Sequence, residues 1–421
     1  MNNVRALLTC LLFPMAFLAC DPVATNQSIP RPLQVKITLP MAIDTMHTMS
    51  IQEITVVCTD LNMRKDYTLI PQDITLQDDT TCMLSLLQLN AGYYDIQANL
   101  SMSLDSSQVL FRAYFKNLVL SPSTDTCFLA MKALAVQEQN NDFVFAEIFT
   151  AGTQTNEGKI YTGDSYFVLY NNTDHTLYAD GLVLLESKLK NTQKFGSLSP
   201  YFISDYFGAD AIYRIPGSGH DYPVEPGETV LIADNAQDHR KVNVNSFDLT
   251  IADFEWYDQS TSASVTDIDN PDVTNLDKIY CYTRTIWIPN RQGNTSFAIG
   301  RIPAGVTDSA YLVEHYCNYD YTLITNAGTF PMSQTCYLFP NSWVVDCVNL
   351  CPHSSYQWLS SDTQLDAGWT YIGETGSDKS RFGKSVRRRE RIEDGKRILQ
   401  DTNNSTLDFL PAQQADPTFF K

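Results

Sequence analysis

Short segments in which apolar and polar residues alternate recur along the chain. The alternation is strict in residues 33–39, and residues 54–58, 94–102 and 111–120 also have the composition of strands. A period of two residues is typical of a β-strand with one buried face, and no segment shows the sustained 3.6-residue period of an amphipathic helix. Clusters of turn-forming residues separate these segments. The chain is therefore predicted to be all-β, with an N-terminal β-sandwich over residues 33–136.

One turn followed by a strand within this domain, Gly92-Tyr-Tyr-Asp-Ile96, resembles the small transthyretin-like or immunoglobulin-like modules of envelope proteins. The resemblance implies a transthyretin-like or immunoglobulin-like sandwich over residues 33–136.

A second domain is predicted to follow a polar bridge at residues 137–142. Residues 143–149 and 164–170 have the composition of buried strands, and residues 224–233 combine a Pro-Gly turn with an apolar strand. The chain has 421 residues, of which 43% are hydrophobic and 18% charged, so it can build two cores. We therefore expect a second β-sandwich over residues 143–421.

The N-terminus has the composition of a secretion signal. Arg5 is the only charged residue before position 20, and residues 6–19 are almost wholly apolar. A basic start, an apolar run of this length and a small residue at its end are typical of a signal peptide, whereas a membrane-spanning helix needs about 20 apolar residues. Residues 1–19 are therefore predicted to be removed during secretion.

A cysteine stands at the predicted cleavage point. Leu18-Ala19-Cys20 resembles the lipobox of bacterial lipoproteins, although Phe17 stands where that family prefers Leu. The resemblance implies that Cys20 becomes the first residue and carries diacylglycerol and acyl lipid, which give firm anchoring. Residues 20–32 are then a polar, proline-containing tether. An ordinary secreted protein with a chance cysteine is the alternative.

The net charge of −19 argues against nucleic acid as a partner. One run opposes this balance, because residues 379–397 hold nine basic residues against three acidic ones. Such a run is either a docking patch or a solvated strand or loop, and we favour the solvated segment.

The cysteines favour an oxidising compartment. Removal of the signal peptide takes away Cys10, and the lipid would occupy Cys20, which leaves an even number of thiols: Cys58, Cys82, Cys127, Cys281, Cys317, Cys336, Cys347 and Cys351. An even number invites disulfides, whose pairing the sequence does not give. Three lie in the first half and five in the second, so we expect some of them to be buried thiols.

Two groups of residues offer metal ligands. Asp267, Asp269 and Asp272 supply the hard oxygens that Ca²⁺ prefers, but they lack the glycine and glutamate of an EF-hand loop. An acidic surface loop is the preferred interpretation. The soft ligands are His315, Cys317, Cys347, Cys351 and His353. Disulfides or buried thiols are preferred there over zinc.

Catalytic signatures are missing from the sequence, which contains no nucleophile elbow, zinc-protease helix, phosphate-binding loop or dinucleotide fingerprint. Glu147 and Asp164 could act as an acid and base pair, but solvent-facing carboxylates on strands are ordinary. No catalytic residue and no enzyme activity are therefore expected.

Aromatic residues on loop-like segments are the candidates for ligand binding. These are Tyr201, Tyr206, Phe207, Trp256 and Tyr257. Exposed aromatic side chains commonly form surfaces for proteins or sugars. The same residues, together with a tyrosine cluster at positions 316, 319 and 321, could instead form the local core of a long insertion.

An ordered series of motifs resembles the lamin-tail domain, an immunoglobulin-like sandwich. Tyr-Phe-x-Leu-Tyr-Asn at 166–171 is followed by Asp-Gly-Leu at 180–182 and by Pro-Gly-Glu at 226–228. The lamin-tail family commonly has Gly-Trp where this chain has Gly-Leu. The end of the chain, from residue 383 to residue 409, is similar to the Bacteroidota lipoproteins of domain-of-unknown-function 4876. The resemblance implies a lamin-tail-like sandwich with an insertion at about residues 236–369.

This kinship implies a function in the cell envelope. We expect a lipoprotein anchored in the outer membrane at the cell surface, acting as a non-catalytic accessory or binding subunit. Its partner would be an outer-membrane β-barrel protein, such as a TonB-dependent transporter or an envelope-assembly machine. It would need no cofactor besides the lipid on Cys20, and it would touch the bilayer only through that anchor. The alternative is a glycan-binding or glycan-processing surface lipoprotein.

Overall fold

The structure is a computed structural model that describes residues 31–38, 49–60, 65–69, 73–78, 81–104, 107–121, 126–133, 142–195, 201–325, 327–393 and 395–421. The predicted signal peptide, Cys20 and almost all of the predicted tether lie outside these residues. Within these ranges, no helix has both the length and the apolar character needed to cross a membrane.

The first sandwich contains the described residues from Arg31 to Ala133. Its strands are β1 (Arg31–Thr38), β2 (Met49–Asp60), β3 (Lys65–Leu69), β4 (Asp73–Asp78), β5 (Thr81–Leu89), β6 (Gly92–Leu104), β7 (Ser107–Leu120), β8 (Thr126–Ala130) and β9 (Lys132–Ala133). They form a four-stranded sheet in the order β4-β5-β1-β8 and a five-stranded sheet in the order β3-β2-β6-β7-β9. Only β1 and β8 pair in parallel among these described strands.

The alternating sequence pattern builds the core of this sandwich. Leu33, Val35 and Ile37 on β1 are fully buried, whereas the residues between them face outward. They pack in one apolar cluster with side chains of the opposite sheet such as Val56 and Ile96. The predicted period of two residues therefore corresponds to a buried and an outer face.

The second sandwich follows at residue 142. Its first strands are β10 (Phe143–Phe149), β11 (Tyr166–Asn171), β12 (Leu177–Tyr178), β13 (Leu182–Lys190), β14 (Lys194–Phe195), β15 (Tyr206–Arg214), β16 (Pro223–Val224), β17 (Thr229–Ala233), β18 (Phe254–Glu255) and β19 (Thr274–Asn275). The others are β20 (Asp277–Cys281), β21 (Thr295–Arg301), β22 (Tyr316–Thr325), β23 (Gly328–Pro340), β24 (Val344–Asn349), β25 (Lys384–Arg388), β26 (Glu390–Glu393), β27 (Lys396–Leu399) and β28 (Phe409–Gln414). Its helices are short: α1 (Tyr201–Ser204), α2 (Asp308–Glu314) and α3 (Ser405–Asp408).

Two large sheets enclose the second core. One has seven strands in the order β19-β18-β17-β11-β10-β25-β28, and the other has eight, in the order β14-β22-β23-β15-β13-β21-β24 with β20 beside β15. Trp287 lies at the centre of the core, stacked on Tyr213 with ring centroids 4.8 Å apart and also close to Phe167 and Trp256. Such aromatic packing fills the space between two sheets with few side chains. The prediction of an all-β chain is confirmed.

The stretch predicted as an insertion belongs to the sandwich itself. Residues 236–369 supply β18 and β19 to the seven-stranded sheet and β20–β24 to the eight-stranded sheet. Phe297 on β21 and Val348 on β24 are fully buried in the same core as Phe167. These residues are thus structural strands of the second sandwich rather than an appendage.

The basic run at residues 379–397 is neither fully solvated nor a single docking patch. On β25, the Arg388 side chain is 1% exposed and bonds the carboxylates of Asp346 and Asp401. Its neighbour Arg387 pairs with Glu147 on β10, which is also buried. The preferred interpretation of a solvated segment is therefore wrong for β25, because internal carboxylates neutralise its arginines.

Candidate functional site

A cleft of about 1380 Å³ lies between the two sandwiches. One wall is the outer face of the five-stranded sheet, with side chains from β2, β6 and β7. The other wall comes from residues 353–371 and from the segment around α3. Concave sites between domains are where proteins most often bind small molecules.

Arg112 and Asp95 join the two walls. The Arg112 guanidinium donates to the backbone carbonyls of Thr402 and Asn403 at 3.0 and 2.9 Å. Across the cleft, the hydroxyls of Tyr114 and Tyr356 both donate to Asp95 Oδ2, at 2.8 and 3.3 Å. Burial raises the pKa of both tyrosine hydroxyls well above the usual value, so they stay protonated donors. These bonds hold the walls at a fixed separation.

Aromatic rings form a cluster on the second wall. Tyr356 and Trp369 are stacked with centroids 5.2 Å apart and planes 8° from parallel. Tyr371 lies 6.2 Å from Trp369 and 4.8 Å from His353. The side chains of this cluster are partly exposed, and all of them line the cleft. Aromatic faces beside open space can bind the apolar face of a ligand.

A buried carboxylate and a glycine hold Trp369 in position. Asp366 is fully buried and accepts hydrogen bonds from the backbone of Gly368, Ser405 and Asn349. At Gly368 a Cβ atom would lie 2.0 Å from Asn404 Oδ1, so only glycine allows this close approach. Burial raises the pKa of Asp366 to about 7, although the hydrogen bonds it accepts lower it. These contacts fix the backbone next to Trp369 and so the position of its ring.

The lining of the cleft combines ring faces with amide and hydroxyl groups, beside charged groups such as Glu53, Asp95 and Arg112. The polar members include Gln97, Asn99, Gln357, Thr370 and Asn404. Amide and hydroxyl groups both donate and accept hydrogen bonds, as is needed to bind a ligand rich in hydroxyls. A sugar ring offers such hydroxyls at its edge and C–H groups on its face. The amide, hydroxyl and aromatic groups of the cleft are able to contact both parts of a sugar ring.

The predicted binding residues do not line this cleft. Phe207 and Trp256 are fully buried in the second sandwich, so their prediction as surface anchors is wrong and the local-core interpretation is correct for them. Tyr206 and Tyr257 are partly exposed elsewhere, and the Tyr201 side chain lies outside the described atoms. Both side chains are part of the core because Phe207 lies on β15 and Trp256 directly follows β18.

The tyrosine cluster at positions 316, 319 and 321 divides between core and surface. Tyr319 and Tyr321 are buried in a small cluster with Cys336, whereas Tyr316 is 54% exposed. Alternate residues of β22 point to opposite faces, which explains Tyr319 and Tyr321 sharing one environment.

The predicted calcium ligands do not converge. Asp267 accepts hydrogen bonds from Asn235 and from the backbone of Asp258, whereas Asp269 and Asp272 are exposed. Throughout the described ranges, no three His, Cys, Asp or Glu residues are placed to hold a metal ion. The residues considered as zinc ligands do not come together either, because Cys317 and Cys347 belong to different clusters.

Glu147 and Asp164 are buried rather than solvent-facing, which corrects the interpretation from sequence. Glu147 accepts from Tyr166 and pairs with Arg387. Asp164 has a separate set of partners, with Ser246 donating to it at 2.7 Å. Both carboxylates are tied into structural networks. That no catalytic pair forms here stays a prediction.

Comparison with known proteins agrees with this architecture. Residues 225–416 match the family model described as protein of unknown function (DUF4876). A crystal structure of a DUF4876 family protein from Bacteroides thetaiotaomicron VPI-5482 is 18% identical, with 92% of this chain and 96% of that chain covered and a TM-score of 0.54. That likeness shows a shared fold. A search of curated proteins found no match.

Two further solved structures carry names that propose a role in cell adhesion. One is from Bacteroides eggerthii DSM 20697, with 10% identity, 74% and 84% coverage of the two chains and a TM-score of 0.16. The other is from Parabacteroides distasonis ATCC 8503, with 10% identity, 73% and 82% coverage and a TM-score of 0.17. TM-scores this low do not indicate a shared fold. Residues 225–416 are thus similar to the DUF4876 proteins of unknown function, and the solved DUF4876 structure shares the fold of this chain.

Proposed function

We propose that this protein is a non-catalytic, lipid-anchored surface protein that binds a saccharide in the cleft between its two sandwiches. The observation that carries the proposal is the aromatic cluster around Trp369, which lines a cleft whose walls also supply amide and hydroxyl groups. Saccharide sites need both, because ring C–H groups pack on aromatic faces while the hydroxyls take directional hydrogen bonds.

Two charged groups of the cleft, Asp95 and Arg112, are engaged in its walls, which favours binding over catalysis. Asp95 already accepts two tyrosine hydroxyls, and Arg112 is committed to backbone carbonyls of the opposite wall. Groups fixed in this way position the walls and are poorly placed to exchange protons with a substrate. A screen of glycosidic substrates that detects no hydrolysis would support this part of the proposal, and turnover of any of them would contradict it.

A glycan array probed with the full chain tests the binding proposal. We expect binding to a restricted set of glycans that is competed by the free saccharide. Trp369→Ala on one wall and Tyr93→Ala on the other, where Tyr93 is 47% exposed, should each weaken binding about 10-fold. The loss of an aromatic contact together with its buried area is of that order.

The control is Tyr282→Ala, since Tyr282 is 53% exposed but lies outside the cleft. It should leave the affinity unchanged. A blank array, or equal affinity of the wild-type protein and both cleft variants, would contradict the saccharide site.

The accessory role beside an outer-membrane β-barrel stays a proposal that rests on kinship with envelope lipoproteins. It is compatible with a saccharide site, because a surface subunit can pass its ligand to a transporter. Extraction of outer membranes in mild detergent tests it. Co-purification of a barrel protein with the full chain would support it, and migration of the chain alone would contradict it.

The anchor is proposed on the lipobox resemblance of Leu18-Ala19-Cys20. The full chain should incorporate a labelled fatty acid, and a Cys20→Ser variant should incorporate none, because serine has no thiol to receive the lipid. Equal labelling of both proteins, or no labelling of the wild-type protein, would contradict the anchor.

A further inference from the structure

Two cysteines stand directly opposite each other in the longest hairpin of the second sandwich. Strands β22 and β23 pair in antiparallel register, with Cys317 against Cys336. Directly opposed residues project to the same face of a sheet, with Cβ atoms about 4.5–5.5 Å apart. A disulfide spans Cβ atoms about 3.5–4.5 Å apart, so a small approach of the two strands suffices. The structure holds both residues as thiols.

This pair differs from the other described cysteines. Cys58 faces Tyr67 and Ile96 across its strands, Cys127 faces Val35, Cys281 faces Ala211 and Cys347 faces Ala298. Among the strand pairs in the described ranges, only the hairpin of β22 and β23 sets cysteine against cysteine. The arrangement is therefore specific to one site.

The two side chains share one small cluster but differ in exposure. Cys336 is fully buried, whereas Cys317 is partly exposed. Both pack with Tyr319 and Tyr321 on the same face of the hairpin. A reagent in solution can thus reach Cys317 first, and Cys336 lies directly opposite it.

We infer that Cys317 and Cys336 form a disulfide across the base of this hairpin when the protein meets a disulfide-bearing oxidant of the thiol–disulfide oxidoreductase class. The Cys317 thiolate attacks one sulfur of the oxidant, forming a mixed disulfide and breaking the oxidant's S–S bond. The Cys336 thiolate then attacks the Cys317 sulfur of the mixed disulfide and displaces the oxidant sulfur that was bound to it. Two electrons and two protons pass from the cysteines to the oxidant, which leaves as a dithiol.

The crosslink would tie down a segment that projects apolar groups. Beyond the cysteine pair, Ile324, Phe330 and Met332 on the distal part of the hairpin are 38%, 44% and 37% exposed. Joining the strands near their base limits how far this part can separate from the sheet. Oxidation thereby keeps β22 paired with β23, which is itself paired with β15 in the sheet.

The first test uses protein that has been exported, because an oxidant of this class acts outside the cytoplasm. The full chain is produced with its own N-terminus and recovered from membranes in the presence of N-ethylmaleimide, which blocks remaining thiols. Peptide mapping without reductant should find the peptide of Cys317 linked to that of Cys336 in most molecules. Recovery of both as alkylated peptides, or linkage of either to another cysteine, would overturn the inference.

A second experiment tests formation of the same disulfide in vitro, where it does not depend on the cell compartment. The reduced full chain is incubated with oxidised glutathione, and reactive thiols are counted over time. The wild-type protein should lose two thiols and form the 317–336 link, as should Cys281→Ser, the matched control. Cys317→Ser and Cys336→Ser should form no intramolecular link, with unchanged tryptophan fluorescence showing that they fold. Formation of an equal intramolecular link in either variant would overturn the pairing.

Discussion

The two sandwiches bury different kinds of side chain. In the described part of the first sandwich, the buried charged residues are Asp60, Asp95 and Arg112, and all three line the cleft. Its core cluster is otherwise apolar. The second sandwich places charged groups between and beside its sheets, such as Arg388 with Asp346. Alternation of apolar residues is thus enough to specify the first sandwich, whereas the second also needs long-range ion pairs.

All five tryptophans lie in the second sandwich, and Trp256, Trp287 and Trp343 lie away from the cleft. Tryptophan fluorescence therefore reports mainly on the second sandwich, with a contribution from the cleft through Trp358 and Trp369, while circular dichroism reports on both sandwiches. Denaturation followed by the two signals can therefore test the comparison one sandwich at a time.

The largest effect is expected for Arg388→Met. The substitution leaves Asp346 and Asp401 buried without their cation, and removal of one partner of a buried ion pair costs about 3–5 kcal/mol. The urea midpoint by tryptophan fluorescence should fall strongly. Arg391→Met is the control, because Arg391 is 54% exposed and should change the free energy of unfolding by less than about 0.5 kcal/mol. Equal midpoints for both variants would contradict an essential buried pair.

A large loss confined to the first sandwich is expected for Leu100→Ala. Leu100 is 1% exposed in the apolar cluster, and truncation of a buried leucine costs about 2–5 kcal/mol. Circular dichroism should show an earlier phase while the tryptophan transition stays in place. Val119→Ala is the matched control, since Val119 is 47% exposed on the same sheet. A tryptophan transition that shifts together with the early phase would show that the two cores unfold as one.

The sequence predicted the strands far better than the cleft. The alternating segments became β1, β2, β6 and β7, because their period is a local property that each segment carries alone. The hydrogen bonds that join the cleft walls link residues 261 to 291 positions apart in the chain. No local pattern in either segment indicates that the two will come together. The sequence shows that residues 353–371 contain several aromatic residues. The packing of their rings around Trp369, however, depends on Gly368 and Asp366.

The same reasoning explains the error at the basic run. Charges in a row predict a solvated segment when each is considered with its neighbours. Arg387 instead meets Glu147, which lies 240 residues earlier. Only the pairing of β10 with β25 brings them together. Burial of charge in this sandwich is therefore a consequence of topology.

The smallest effect is a difference in pH dependence at Asp366. Its pKa rises from 3.8 to about 7 on folding because the carboxyl is buried, so the folded protein binds the proton more tightly. The stability from this proton is complete below about pH 4 and is lost as the pH rises through about 7. Asp366→Asn cannot titrate. Its amide oxygen can still accept from Gly368 and Ser405, but its NH2 group replaces the oxygen that accepts from the Asn349 backbone N–H.

Urea midpoints by tryptophan fluorescence from pH 5 to pH 8 test this difference. Asp366→Asn should be less stable throughout, and the gap from wild type should narrow as the pH rises, by at most about 1.4 kcal/mol per pH unit. Parallel profiles would mean that Asp366 is ionised in the folded protein across this range. The second sandwich would then carry a buried charge behind Trp369 that backbone donors and the Ser405 hydroxyl stabilise, and its contrast with the apolar core of the first sandwich would be greater.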